Sequence, residues 1–202
     1  MKNKKKIWGI IIFLVIIILS IFIYKNVIKK SKIGNNMNSQ EIVDYILNTK
    51  TYKAEILIQV NSNKNTNKYI LKQEFNQDGE SIQEVVEPSN IAGVKIIKNG
   101  ENLKIENSSL NVSKIFENYK GLGENCLDLN TFIENYKNYD KAKFEENDKE
   151  IIMKTKSQNK NKYTENKILY IDKENKLPTK LIIEDNNQNM TINIQYNKIE
   201  LN

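Results

Sequence analysis

The chain has 202 residues and a formal net charge of +6, carried by 31 lysines against 25 acids, with no arginine and no histidine. Eight of the lysines lie at or before Lys32 and the first acid is Glu41, which leaves 23 lysines against 25 acids from residue 33 onward. The excess positive charge belongs to the N-terminus, so the bulk of the chain lacks the basic footprint that nucleic-acid binding requires. Without histidine the usual general base at neutral pH and the commonest zinc ligand are missing. A single cysteine excludes an internal disulfide, and with it a small secreted domain stapled by bridges.

Residues 1–6 form a basic leader to an apolar run from Ile7 to Tyr24, in which only Gly9 and Ser20 are less than strongly apolar. A helix of that length covers roughly 27 Å, enough to cross the hydrocarbon layer. Lys4, Lys5 and Lys6 on one side and Lys25 on the other suit its two ends. The run offers no small-x-small cleavage site between Leu19 and Tyr24 and no lipid-accepting cysteine, which predicts an uncleaved single-pass signal anchor. Lysines on both sides nearly cancel the positive-inside signal, and the N-terminal amine tips it towards an extracytoplasmic C-terminal part. Residues 25–37 then read as a polar juxtamembrane linker rich in Lys and Asn, and residues 38–202 as one folded domain.

A helix is expected from Asn38 or Ser39, with Glu41 and Asp44 near its N-terminus and Ile42, Val43, Ile46 and Leu47 as its apolar stripe. After Thr51 the period changes to two. Tyr52, Ala54, Ile56, Ile58 and Val60 alternate with Lys53, Glu55, Leu57 and Gln59, the pattern of a strand with one buried face. A polar loop at 61–67 leads to a second strand with Tyr69, Leu71 and Phe75. Asp78-Gly79 marks a hairpin turn into a strand carrying Ile82 and Val86, and Asn99-Gly100 marks another between 94–97 and 103–105. Residues 112–119 and 129–139 carry helix-like spacing, through Ile115, Phe116 and Tyr119 and through Leu129, Phe132, Ile133 and Tyr136, around a flexible Gly121-Leu122-Gly123. Strand patterns resume at 142–146, 151–156, 168–171 and 181–183, and end with Met190, Ile192, Ile194 and Tyr196 alternating with Thr191, Asn193, Gln195 and Asn197. The expected fold is α+β and mainly β: one long curved antiparallel sheet whose apolar face is covered by a few helices, preceded by the transmembrane helix.

The residue inventory points away from an enzyme. Glu145, Glu146, Asp148 and Glu150 are the densest acidic cluster, but they alternate with Lys143 and Lys149 around an expected hairpin and read as a solvated face. Cys126 has no His or Arg to lower its pKa and reads as an inert thiol. Gly121-Leu122-Gly123 lacks both the third glycine and the preceding strand of a phosphate-binding loop. No catalytic residue, cofactor or metal is expected.

The runs Tyr52 to Val60 and Tyr69 to Phe75, the turn Asp78-Gly79, the segment from Glu87-Pro88 through Asn90 to Gly93, and the turn Asn99-Gly100 resemble the GerS germination lipoproteins of spore-forming clostridia. Leu169-Tyr170-Ile171-Asp172, the segment from Leu177-Pro178 to Asp185, and Ile192 to Tyr196 fit the same pattern, so the resemblance spans residues 38–200. That family is similar to the LolA and LolB lipoprotein carriers, which implies an antiparallel half-barrel closed by helices. The resemblance makes Asp78, Gly79, Pro88, Asn90, Gly93, Asn99, Gly100, Tyr170, Asp172 and Pro178 structural family positions. It also implies a non-enzymatic partner of an amidase such as CwlD, which helps to make muramic-δ-lactam in spore cortex peptidoglycan. GerS proteins carry a lipidated cysteine where this chain has an apolar helix, so a paralogue with a different partner also fits.

Two functions therefore compete: a membrane-anchored partner of a cell-wall amidase in sporulation and germination, and a carrier or sensor that holds an acyl chain in a LolA-like cavity. A carrier needs a continuous apolar cavity, whereas a partner protein fills that space and displays an edge or loop. Met190, Ile192, Ile194 and Tyr196 are the candidate partner-binding residues if the last strand lies at an edge; the competing reading is that this strand pairs internally as core. An edge strand would equally permit a homodimer. The expected location is a single-pass membrane protein with its domain extracytoplasmic, for which the forespore intermembrane space is one fitting compartment.

Overall fold

The computed structural model describes residues 37–62, 64–119, 126–158 and 162–202. The expected membrane segment at 7–24, nearly all of the linker at 25–37, and Gly121-Leu122-Gly123 lie outside those residues. Among the described residues no helix is long and apolar enough to cross a membrane.

Helix α1 (Ser39–Leu47) starts where Asn38 accepts a hydrogen bond from the Glu41 N–H at 3.0 Å and Glu41 accepts one from the Asn38 N–H at 2.8 Å. This reciprocal cap satisfies two N–H groups that the helix itself cannot, worth about 1 kcal/mol. Eleven strands follow: β1 (Tyr52–Asn61), β2 (Thr66–Phe75), β3 (Ser81–Glu87), β4 (Val94–Asn99), β5 (Asn102–Asn107), β6 (Val112–Phe116), β7 (Lys143–Glu146), β8 (Glu150–Lys156), β9 (Asn166–Asp172), β10 (Pro178–Glu184) and β11 (Met190–Leu201). A short 3-10 turn (Ser89–Ile91) separates β3 from β4, and helix α2 (Leu129–Asn138) stands between β6 and β7.

All eleven strands belong to one open antiparallel sheet, ordered β6-β5-β4-β3-β2-β1-β11-β10-β9-β8-β7. It consists of two meanders, β1 to β6 and β7 to β11, joined where the first and last strands pair. One face is the core. Met153, Leu169, Leu181, Ile194 and Ile58 lie side by side across five strands and are all buried. Both helices pack on β8 and on each other, adding Ile42, Val43, Ile46, Leu129, Phe132 and Ile133 to the same core. Each such side chain contributes about 1.5–3 kcal/mol on burial. A fully buried Lys167 donates to Asn135 Oδ1 at 2.7 Å, and Thr155 donates to the Asn135 carbonyl at 3.1 Å, which fixes α2 over β8 and β9.

The opposite face is polar and ordered by charge. In the row Lys198, Glu55, Lys72, Glu84, Lys95, Glu106, each residue sits directly across from the next on β11, β1, β2, β3, β4 and β5. Signs alternate at every joint. One row over, Lys53 meets both Glu200 and Glu74, and its Nζ lies 2.8 Å from the Glu74 carboxylate.

One expectation is corrected, and two open points are settled by the register. Residues 112–119 are not helical: 112–116 form β6, paired with β5 through a turn in which Asn107 Oδ1 accepts from the N–H groups of Ser109 (3.1 Å) and Leu110 (3.2 Å). On β3 the buried residues are Ser81, Gln83 and Val85, so Ile82 and Val86 lie on the outer face. Of the two readings of the last strand, internal pairing is the one observed: β11 is bonded on both sides, to β1 and to β10, and not at an edge.

Candidate partner-binding surface

Helix α2 begins at Asp128, whose buried carboxylate ties the crossover from β6 to the sheet. The Tyr52 hydroxyl on β1 donates to Oδ1, the Ser81 hydroxyl on β3 donates to Oδ2 at 2.7 Å, and the Asn130 N–H donates to Oδ1 at 3.1 Å as the helix cap. Gln73 on β2 donates to the Leu127 carbonyl at 3.0 Å. These contacts account for the buried Gln73 and Ser81, whereas the buried Gln83 has an Nε2 without a hydrogen-bond partner. Burial, then the charge of Asp128 and the hydrogen bond to it, hold the Tyr52 phenol well above its ordinary pKa. Burial first and Asp128 second do the same for Tyr196, whose hydroxyl has no hydrogen-bond partner.

Beyond this anchor the core face continues without helical cover among the described residues. The row Ala54, Gln73, Gln83, Ile96, Ile105, Lys114 runs from β1 to β6, and Tyr52, Phe75, Ser81, Lys98, Leu103, Phe116 runs beside it. Tyr52, Ala54, Gln73, Ser81 and Gln83 are buried and Phe75 is half-buried, whereas no residue of β4, β5 or β6 is buried. At the margin Leu110, Val112 and Ile115 are 71%, 59% and 60% exposed. The other margin is defended. On β7, Glu145 is bonded to Lys143 (3.1 Å) and Lys154 (2.6 Å), and Glu146 to Lys173 (2.6 Å) and to the Ser39 hydroxyl. Short charged strands of this kind resist pairing with other chains, and the apolar β6 does not.

The residues singled out from sequence fall elsewhere. Ile194 is buried, Ile192 and Tyr196 are half-buried in the middle of the sheet, and only Met190, at the end of β11, is exposed. The family positions are turn and hairpin residues spread over the whole sheet. Gly79 (φ 79°) and Gly100 (φ 57°) take the left-handed conformation their turns require, next to Asp78 and Asn99. Pro88 and Asn90 flank or lie in the 3-10 turn, and Gly93 (φ 81°) donates its N–H to the Val85 carbonyl at 2.8 Å. Asp172 accepts from the Asn175 N–H at 2.7 Å in the turn before Pro178, which pairs across from Ile171, and Lys180 stacks its ammonium 3.9 Å from the Tyr170 ring centroid. Asp128 escaped the sequence reading, although an Asp directly before the periodic run Leu129, Phe132, Ile133 is an N-cap signal.

Among the described residues, eleven antiparallel strands in one open sheet with two helices on one face make a fold shared with solved proteins of different sequence. An uncharacterized conserved protein from Thermus thermophilus matches at a TM-score of 0.52 and 11% identity, over 82% of this chain and 88% of that one. The structure of the CwlD amidase from Clostridioides difficile in complex with the GerS lipoprotein matches at a TM-score of 0.52 and 21% identity, over 82% of this chain and 96% of that one. A LolA superfamily protein from Nitrosomonas europaea matches at a TM-score of 0.43 and 12% identity, over 83% and 94%. No curated protein sequence matches. The chain belongs to the YdcC-like sporulation proteins, whose sequence model matches residues 4–202 and so takes in the apolar N-terminal run.

Proposed function

We propose that the chain is a non-enzymatic, membrane-anchored protein of GerS type that binds and supports a CwlD-like peptidoglycan amidase during spore cortex modification and germination. Its domain faces the extracytoplasmic side, in the forespore intermembrane space, with residues 7–24 as the anchor. The observation that carries this reading is the contrast on the core face. Beneath the helices the space is occupied by the chain's own side chains, among them Ile42, Phe132, Met153 and Ile56, while among the described residues nothing covers the face over β4 to β6 or pairs with the edge of β6. An acyl carrier needs the reverse, an apolar cavity between helices and sheet. The GerS complex with CwlD supplies a precedent for the same fold beside an amidase.

The test is size-exclusion chromatography of the full chain in detergent with each cortex amidase of the host. Co-elution with one of them, and loss of muramic-δ-lactam from the cortex of spores lacking the chain, is the expected result. Lipid extracted with the chain, together with no amidase, replaces the reading by that of a carrier.

A further inference from the structure

Among the described residues β6 is where the backbone ladder and the core face both end without cover. Pairing with β5 sets its faces: Val112, Lys114 and Phe116 continue the core face, Ser113 and Ile115 the outer one. Lys114 Nζ stands 4.8 Å from the Phe116 ring centroid, and the ammonium is exposed. An antiparallel strand added outside β6 sets its own residues directly opposite these.

The charge at the middle of β6 selects among such strands. A second copy paired β6 on β6 over the full strand has its two-fold axis at the central residue, which puts Lys114 against Lys114; like charges directly opposite are destabilising. A carboxylate at that place has the opposite effect, and apolar residues two positions to either side of it cover Val112 and Phe116. The sheet's outer face already follows this rule at five consecutive joints, from Lys198 to Glu106.

We infer that the edge of β6 docks an antiparallel strand of another protein, with an acidic residue opposite Lys114 and apolar residues opposite Val112 and Phe116. This deepens the amidase-partner reading and rests on it for the identity of that protein. The probe is the labelled peptide Thr-Val-Thr-Glu-Thr-Val-Thr, compared at low ionic strength with the same peptide carrying Lys for Glu, on the full chain in detergent. The acidic peptide binds about five- to tenfold more tightly, and Lys114→Glu reverses the preference, with an unchanged unfolding midpoint as the control for folding. Equal binding of the two peptides, or an unreversed preference, overturns the inference. So does disulfide trapping of a dimer through Lys114→Cys in a Cys126→Ser background, which assigns the edge to a second copy. Amidase co-elution separates the two readings. Retention by both wild type and Lys114→Glu overturns the docking edge and leaves the amidase partner, whereas a reversed peptide preference without any amidase overturns the partner and keeps the edge.

Discussion

The strands β8 to β10 and the strands β4 to β6 are built from similar residues and end in different states. Leu169, Leu181 and Ile183 are fully buried, while Ile96, Leu103 and Ile105, equally apolar and on the same face of the same sheet, stay partly exposed. What differs is the cover. Both helices stand over β8 and its neighbours, and neither reaches the far side. An apolar face is therefore only half of a core, and the half that has no cover among the described residues is the place for a further element to pack.

The most severe way to test this contrast is truncation on either side of it. Leu169→Ala should cost about 2–5 kcal/mol, and Leu103→Ala less than about 1.5 kcal/mol, read as urea midpoints at constant slope. Equal losses would mean that the β4 to β6 face is buried in solution. Asp128→Ala should cost about 2–4 kcal/mol, because it removes a helix cap and strands the hydroxyls of Tyr52 and Ser81 in the interior.

A pH scan sharpens the picture of the covered side. The folded chain holds Tyr52 and Tyr196 above the ordinary phenol pKa of 10.0. Above that pH the unfolded chain gives up these protons first, so their contribution to stability is complete below about pH 10 and lost as pH rises beyond it. Tyr196→Phe should move alkaline unfolding to higher pH and change neutral stability by less than about 1 kcal/mol, since the hydroxyl it deletes has no partner.

The smallest effects on stability belong to the two margins, and there self-association is the readout. Glu145→Val strips β7 of its paired carboxylate and should raise self-association in sedimentation velocity, with little change in midpoint. Ile115→Lys should leave self-association unchanged, because Lys114 already opposes a second copy at β6, again with little change in midpoint. If the two variants move association in the same direction, the margins are not different in kind.

Much of the covered side was legible in the sequence, because its signals are local. The period of two in β1 and in β8 to β11 and the cap at Asn38 each follow from a few adjacent residues, as do the turns at Gly79 and Gly100 away from the helices. The open side was harder to read. Ile115, Phe116 and Tyr119 have helix-like spacing, and a five-residue strand without a buried side chain has no alternation to reveal it. On β3 the eye follows Ile82 and Val86, yet Ser81 goes inward to bond Asp128, far away in sequence, and Gln83 and Val85 follow it by the alternation of the strand. For β11 the sequence left edge and interior both open, since its place depends on the pairing of the two ends of the domain.

The alternating charges on the outer face have a consequence for how the strands find one another. A slip of two residues between β1 and β2 leaves every apolar side chain on its proper face, so the hydrophobic pattern cannot detect the mistake. The charges can: such a slip brings Glu55 against Glu74 in one direction and Lys53 against Lys72 in the other. Each mismatch costs only about 0.2–1 kcal/mol, but the pattern repeats across six strands, so the row acts as a proofreader of alignment that salt weakens while the core keeps its grip.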